Sequence, residues 1–372
     1  MATRKRTLLP IGIHVTPDAV QMVQLCQVDD RVEVVSKAAH YFSAPSATLA
    51  RLVAAGGGPT KGRPNRREVD YNRCRTFVRQ KIAKDGFRGK EAVISLPAEH
   101  LVIQHVRMAP MPPEELAAAL PGELEGKLPF APGDAIIRHV MAGAVTENNE
   151  AKQDVIVLAA ERYLVERHIL AMTRLGLNVV GVGVEPCAMC YPYAFASQRP
   201  TPSPGGPRCL MIVHLGPDET HVAILRGQET TFVKGVDHGT DELIEAIAKE
   251  KSLPLERAAE MVGRWRESPG PETFQEAVGV YNAISWSLER LADEIQSCIR
   301  YHASLSRGTP IDRIYFIGSE ARDRALVSVL STHLDIPSEI GDPLAAVKGE
   351  PDPDGVHPDM AVAVGLSLFG AE

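Results

Sequence analysis

One pattern occurs twice in this chain, near the N-terminus and again just past the middle. Ile11-Gly12-Ile13-His14-Val15-Thr16-Pro17-Asp18-Ala19-Val20-Gln21-Met22-Val23-Gln24-Leu25 alternates apolar and polar residues on both sides of a turn-prone Thr-Pro-Asp. The stretch from Leu210 to Leu225 does the same around Gly216-Pro217-Asp218-Glu219. Each reads as a β-hairpin, since period-two alternation interrupted by turn residues is the pattern of two strands joined by a tight turn. Both copies place a histidine in the strand just before the turn, His14 and His214. A repeat at this scale restricts the chain to folds made of two similar halves, each opening with antiparallel strands.

The rest of the pattern fills in an α/β chain. A third strand is expected at Val32–Ala38, a loop over the Gly- and Arg-rich Ala54–Arg67, a helix over Tyr71–Lys84 and a strand over Ala92–Leu96. Strands follow near Leu101–Met108, Ile136–Ala142, Val155–Ala160 and Val179–Val184. Helices are expected from Pro112, with Pro121 and Gly122 interrupting it, and over Tyr163–Leu175. Ser197–Pro207, rich in Pro and Gly, cannot sustain helix or central strand and reads as the linker between the halves. Beyond the second hairpin, helices are expected at Asp241–Glu250 and Leu255–Trp265. Val280, Ile284, Leu288, Leu291, Ile295 and Ile299, at steps of three and four, predict a long helix with one buried stripe. The strand Arg313–Ile317 ends at Gly318-Ser319-Glu320, and a helix follows over Arg324–Leu334.

Composition excludes several functions. The 372 residues are 44% hydrophobic, enough for a sizeable core without disulfides or metals, and the net charge of −7 argues against coating nucleic acid or anionic lipid. No apolar run approaches the roughly 20 residues that cross a bilayer. The N-terminus lacks a secretory signal, so a cytoplasmic location is expected, which six scattered cysteines fit. The basic Arg4-Lys5-Arg6 reads as a frayed end. Cys187-Ala188-Met189-Cys190 has redox spacing but no second pair, and reads as two cysteines packing a helix. His100, His105, His139 and His168 read as surface or strand histidines.

Two hairpin-led halves, the second ending in a strand-to-glycine turn, resemble the actin-like ATPase superfold. Within it the chain is similar to the PilM family of type IV pilus assembly proteins, related to FtsA. The likeness is carried by Ala92-Val93-Ile94-Ser95-Leu96-Pro97, by Met108-Ala109-Pro110-Met111-Pro112-Pro113-Glu114-Glu115-Leu116, and by Lys127-Leu128-Pro129-Phe130. Val184-Glu185-Pro186, Gly239-Thr240-Asp241-Glu242-Leu243, Arg313–Gly318 and the closing Pro358–Leu366 add to it. The resemblance implies two RNase H-like domains with an inserted α+β subdomain in the first. Residues 1–91 and 180–206 would form the first domain with its linker, 92–179 the insert, 207–357 the second domain and 358–372 a closing segment. It implies a groove, walled by the first hairpin and Ala92–Val145, that receives the cytoplasmic N-terminal peptide of a PilN-like inner-membrane protein. Membrane association would then be peripheral, through that partner.

In the superfold the hairpins clamp nucleotide phosphates and read D-x-G, the Asp holding Mg²⁺ through water. Here the first hairpin gives His14-Val15-Thr16 and the second His214-Leu215-Gly216, so both acids are replaced by imidazole. The glycine pair of the adenosine turn becomes Gly318-Ser319, followed by Glu320. Gly12, His14, Thr16, His214, Gly216, Gly318 and Ser319 therefore mark a degenerate nucleotide cleft. Magnesium binds nitrogen donors poorly, so ATP with Mg²⁺ is not an expected cofactor and no catalytic residue is assigned. Two readings of the histidines stay open: polar filling of a disused cleft, or a pH-sensitive or transition-metal pair that lacks an evident third ligand. The competing function, an active actin-like ATPase or small-molecule kinase, would need Asp18 and Asp218 in the cleft, whereas both are expected to point to solvent at the turns.

Overall fold

Alternation along the two hairpins builds two sheets of one design. The computed structural model describes residues 6–29, 31–42, 69–147, 149–198, 208–266, 274–306 and 308–369. The loop read over Ala54–Arg67, residues 199–207 of the linker, and Arg4 and Lys5 lie outside the described residues. The first half runs β1 (Arg6–Val15), β2 (Ala19–Val28), β3 (Arg31–Tyr41), α1 (Tyr71–Lys84) and β4 (Glu91–Leu96). The insert follows as β5 (Val102–Met108), α2 (Pro113–Glu123), β6 (Ala135–Glu147) and β7 (Glu150–Glu161). The chain returns through α3 (Arg162–Arg174), β8 (Asn178–Val184), α4 (Glu185–Ala188) and α5 (Tyr191–Ser197). The second half begins with β9 (Cys209–Leu215), β10 (Thr220–Arg226) and β11 (Glu229–Val236). It continues through α6 (Asp241–Glu250), α7 (Leu255–Arg266), α8 (Phe274–Leu305), β12 (Arg313–Ile317), α9 (Arg324–Leu334), β13 (Ser338–Ile340), α10 (Pro343–Lys348) and α11 (Ala361–Phe369).

The sheet orders are β3-β2-β1-β4-β8 and β11-β10-β9-β12-β13, with the first three strands antiparallel and the last two parallel in each. Successive side chains of a strand point to opposite faces. In β1, Ile11, Ile13 and Val15 join the core under α1 and α3, which sends Gly12 and His14 to the other face. In β9, Met211, Val213 and Leu215 join the core under α8, which sends Ile212 and His214 to the other face. Equal parity in the two hairpins is why the two histidines meet; a one-residue slip of either strand would turn its histidine away. The apolar stripe of α8 packs as its spacing requires, with Val280, Ile284, Leu288, Leu291 and Ile295 buried.

Pro10 sits in β1, a central strand, where its missing N–H breaks the ladder. Pairing with β2 shifts between Leu8 and Ile11. Ser367 of α11 fills the gap, its hydroxyl donating to Pro10 O at 2.8 Å and accepting from Leu25 N at 3.2 Å. The helix can come this close only because β1 carries a glycine: a Cβ on Gly12 would lie 2.0 Å from Ala363 O and 2.5 Å from Ser367 N.

Three boundaries differ from the sequence reading. The insert is narrower than residues 92–179, because β4 is the fourth strand of the first sheet and α3 delivers Met172 to the first core. The second half stops short of residue 357, because Leu344 and Val347 of α10 and Ala363, Val364 and Leu368 of α11 pack with Leu9, Val23 and Leu25 of the first. Finally, α2 runs through Pro121 to Glu123, the proline falling in its last turn where Leu124 N still reaches Leu120 O.

The insert is a three-stranded antiparallel sheet, β5-β7-β6. Leu116, Leu120 and Leu124 cover one face, against Val155, Val157 and Ala159. On the other face Ile156 and Leu158 join a cluster with Leu225 and Val233 of the second half. There the His105 ring donates to Val233 O at 2.8 Å.

Candidate functional site

The two hairpin turns face a cavity of about 660 Å³ between the halves. His14, Thr16, His214, Gly216 and Ser319 line it, together with Glu320. Gly12 and Gly318 are not among its lining residues: Gly12 is the seat of α11, and Gly318, at φ +96°, lets the end of β12 pass Leu215 O and the His214 ring. Thr16 serves the first turn itself, its hydroxyl accepting from Ala19 N at 3.0 Å. Gly216 is required by its own turn, since a Cβ there would lie 2.6 Å from Glu219 O.

Asp18 and Asp218 line the cavity instead of facing bulk solvent. The turns that carry them bend inward, the second held by bonds from Thr240 N to Gly216 O and from Asp241 N to Pro217 O. With Glu99, Glu185, Glu219, Asp241, Glu256, Glu260, Glu320 and Asp359 they make ten carboxylates, and no lysine or arginine lines the cavity among the described residues. Some are engaged: Thr240 donates to Glu320 at 2.8 Å, and Arg322 and Tyr41 hold Asp359.

The convergence point is Glu185, the first residue of α4. β8 ends beside β4, and its last residue hands Glu185 into the gap between the sheets. His14 Nε2 lies 3.2 Å from one carboxylate oxygen, and the His221 ring donates to the other at 2.7 Å. His214 Nδ1 lies 2.9 Å from that second oxygen but off the line of a hydrogen bond. All four residues are buried. Burial opposes ionisation of Glu185, but His214 and His221 outweigh it and, with the hydrogen bond from His14, hold its carboxyl well below the usual range. The cluster is an anion ringed by imidazoles, with His14 Nδ1 buried and without a hydrogen-bond partner. It offers nitrogen and oxygen donors of the kind that bind borderline metal ions.

Sequence reasoning found His14 and His214 and missed Glu185 and His221. His221 stands directly opposite His214 in the β9–β10 register, as Gln21 stands opposite His14 in β1–β2. The hairpin alternation carried that signal once the turn is fixed at 216–219. His168, read as a surface or strand histidine, is a buried strut of α3, bonded to the Tyr71 hydroxyl and Ser95 O. Burial lowers its pKa to about 4. Cys187 and Cys190 are unbridged, and burial pushes the Cys187 thiol up to about 12, which suits packing and not redox exchange.

A family model described as type IV pilus assembly protein PilM matches residues 64–370. Among solved structures the chain is similar to that of a PilM-PilN type IV pilus biogenesis complex, at 21% identity and TM-score 0.70 over 98% of each chain. It is also similar to ethanolamine utilization protein EutJ from Carboxydothermus hydrogenoformans, at 13% identity and TM-score 0.51 over 98% of this chain and 90% of that one. Comparison with curated proteins gives no match. The structural likenesses bear on fold alone, and the fold is the expected actin-like one, two RNase H-like halves with an α+β insert in the first.

Proposed function

The chain belongs to the type IV pilus assembly protein PilM family, and on that premise we propose that it is a cytoplasmic scaffold of a type IV pilus or related secretion machine, docking the N-terminal peptide of a PilN-like inner-membrane protein. The observation that carries this reading is the junction between the first sheet and the insert at β8 and α3, a different wall from the first hairpin that the resemblance implies. β8 ends its sheet, with no further strand beside it among the described residues. Leu96, Ile136, Ile169, Val182 and Val184 pack together there, while Tyr163 and Leu170 on α3 and Val180 on β8 stay exposed. An extended peptide can add to such an edge through main-chain hydrogen bonds and set apolar side chains on the residues beside it. A PilN partner is supported by the similar structure, which is that of a PilM-PilN complex. Among the described residues no helix is long and apolar enough to cross a membrane, and the partner supplies the attachment.

The nucleotide cleft takes no part in this docking and does not hydrolyse ATP. A cavity lined by ten carboxylates and, among the described residues, by no lysine or arginine repels a triphosphate. Histidines occupy the strand positions where the superfold keeps its magnesium carboxylates.

The test is a calorimetric titration with a peptide of the cognate PilN N-terminus, run beside a labelled-ATP binding assay with Mg²⁺. The parent and a His14→Ala/His214→Ala variant should bind the peptide alike. Val180→Glu, on a side chain 53% exposed, should weaken it at least about tenfold by placing a charge against apolar contacts. Peptide binding indifferent to Val180→Glu, or saturable ATP binding by the parent, overturns the corresponding half of the proposal.

A further inference from the structure

We propose that Glu185, His214 and His221 bind a divalent transition-metal ion that joins the two halves of the molecule. This does not rest on the docking reading, since it concerns the opposite hairpins and not the β8 edge. One donor atom from each of Glu185, His214 and His221 falls within 4.8 Å of the others, and all three residues are buried. A tetrahedral ion with bonds of about 2.0–2.1 Å separates its ligand atoms by roughly 3.3 Å. His221 Nδ1 and His214 Nδ1 lie 2.7 and 2.9 Å from the same Glu185 oxygen, and the three donor atoms fall within 4.8 Å of one another, so small ring and carboxylate movements bring them to that spacing.

The second line of argument is unmet bonding. His214 Nδ1 is buried, lies 2.9 Å from Glu185 and makes no hydrogen bond. A proton alone leaves this nitrogen unused, whereas an ion takes up an imidazole lone pair directly. The rings are also held for the purpose. The His214 ring edge lies against Gly318, where a Cβ would come within 3.1 Å of Nε2, and the carboxylate of Glu219 stands 3.9 Å from His221 Nε2. Further out, the other nine cavity carboxylates raise the local concentration of any cation. Donor type then selects among cations: imidazole nitrogens favour zinc, nickel, copper or iron over magnesium or calcium.

Glu185 comes from the first half and His214 and His221 from the second, so a bound ion would fix the cleft at one opening. Three protein ligands leave the fourth position of a tetrahedral ion to water.

The experiment uses the full chain, stripped with a chelator and titrated with Co²⁺, then with Zn²⁺. One equivalent of Co²⁺ should bind, with the intense visible absorption of a four-coordinate complex, and Zn²⁺ should displace it. X-ray absorption of the zinc form should show at least two imidazoles on the metal. His221→Gln should weaken zinc binding by more than about 100-fold, beyond the 10–100-fold typical when a residue that only orients a ligand is changed. It places at that position the amide that the first hairpin already carries opposite His14, so the backbone is expected to tolerate it. His168→Gln, at a buried histidine outside the cluster, should leave binding unchanged. No saturable one-equivalent binding, a zinc form with fewer than two imidazoles, or undiminished binding by a folded His221→Gln variant overturns the proposal. The spectra of the parent protein decide the matter even where a variant fails to fold.

Discussion

The two halves share a sheet order, a hairpin and a histidine in the same slot, and they differ at three places along those shared strands. The strand position that is Gly12 in β1 is Ile212 in β9. The first half buries that face against the backbone of α11, the second against side chains of α4, α5 and the insert. The residue opposite the histidine is Gln21 in the first half and His221 in the second. Behind the tip, the first half is tied by a side chain, His168 to Ser95, whose hydroxyl reaches Val15 N. The second uses a backbone device, Gly318 at φ +96°, its N–H donating to Pro358 O at 3.0 Å. A doubled architecture therefore does not imply doubled chemistry. Strand geometry is preserved where sheet pairing demands it, and the inner faces diverge according to what each must cover.

The largest test of that asymmetry is Gly12→Ala. A Cβ 2.0 Å from a backbone oxygen cannot be relieved by a rotamer change, so α11 must shift. The expected loss is about 3 kcal/mol or more, the range of core overpacking and strain. Ile212→Val, at the matching position, should cost only about 0.5–1.5 kcal/mol. Urea unfolding of the two variants checks this, and equal costs would mean that the inner faces are equivalent after all.

A mid-sized effect distinguishes the two tips by acid. His168 is neutral in the fold, with its pKa lowered to about 4 by burial, while in the unfolded chain it titrates near 6.5. Between those values the unfolded state holds more protons, so stability is complete above about pH 6.5 and is lost as pH falls toward 4. The loss from neutral or higher pH down to pH 5 is about 2 kcal/mol. Urea midpoints at pH 7, 6 and 5 should show this slope in the parent and a shallower one in His168→Gln. Hydrogen exchange at pH 5 should open β1 and β4 before β9 and β12; simultaneous opening would erase the proposed difference.

The smallest effect sharpens the cluster. In metal-free protein His221→Gln removes one charge-assisted bond to Glu185, while His14 and His214 stay beside it. The expected cost is about 1–2 kcal/mol, and a cost near zero would mean that the second nitrogen donor of the second hairpin does not support the fold.

How much of this could be read beforehand follows the range of each signal. Hairpins, the long helix and the two histidines lie in local periodicity, so residues 11–25, 210–225 and 280–299 were legible from one pass along the chain. The family resemblance rested on short runs such as Lys127–Phe130, whose order survives where identity does not. Glu185 was invisible because its role depends on β8 lying beside β4, a pairing between residues more than eighty positions apart. Asp18 and Asp218 were placed outward because turns usually face solvent; here each turn faces the other half. α11 was quoted only as a closing segment, since nothing in its own sequence says that Ala363 will sit on Gly12.

That contact has a temporal side. Gly12 emerges from the ribosome about 350 residues before Ala363, and at roughly 5–20 residues per second the interval is on the order of 20–70 s. Through that time Leu9, Val23 and Leu25, which end up beneath α10 and α11, lack the cover of those two helices. The half that is made first is finished last. Growing chains should expose that apolar face to chaperones, and a ribosome stalled before residue 361 should hold a nascent first domain that is sticky, open to protease and unable to close.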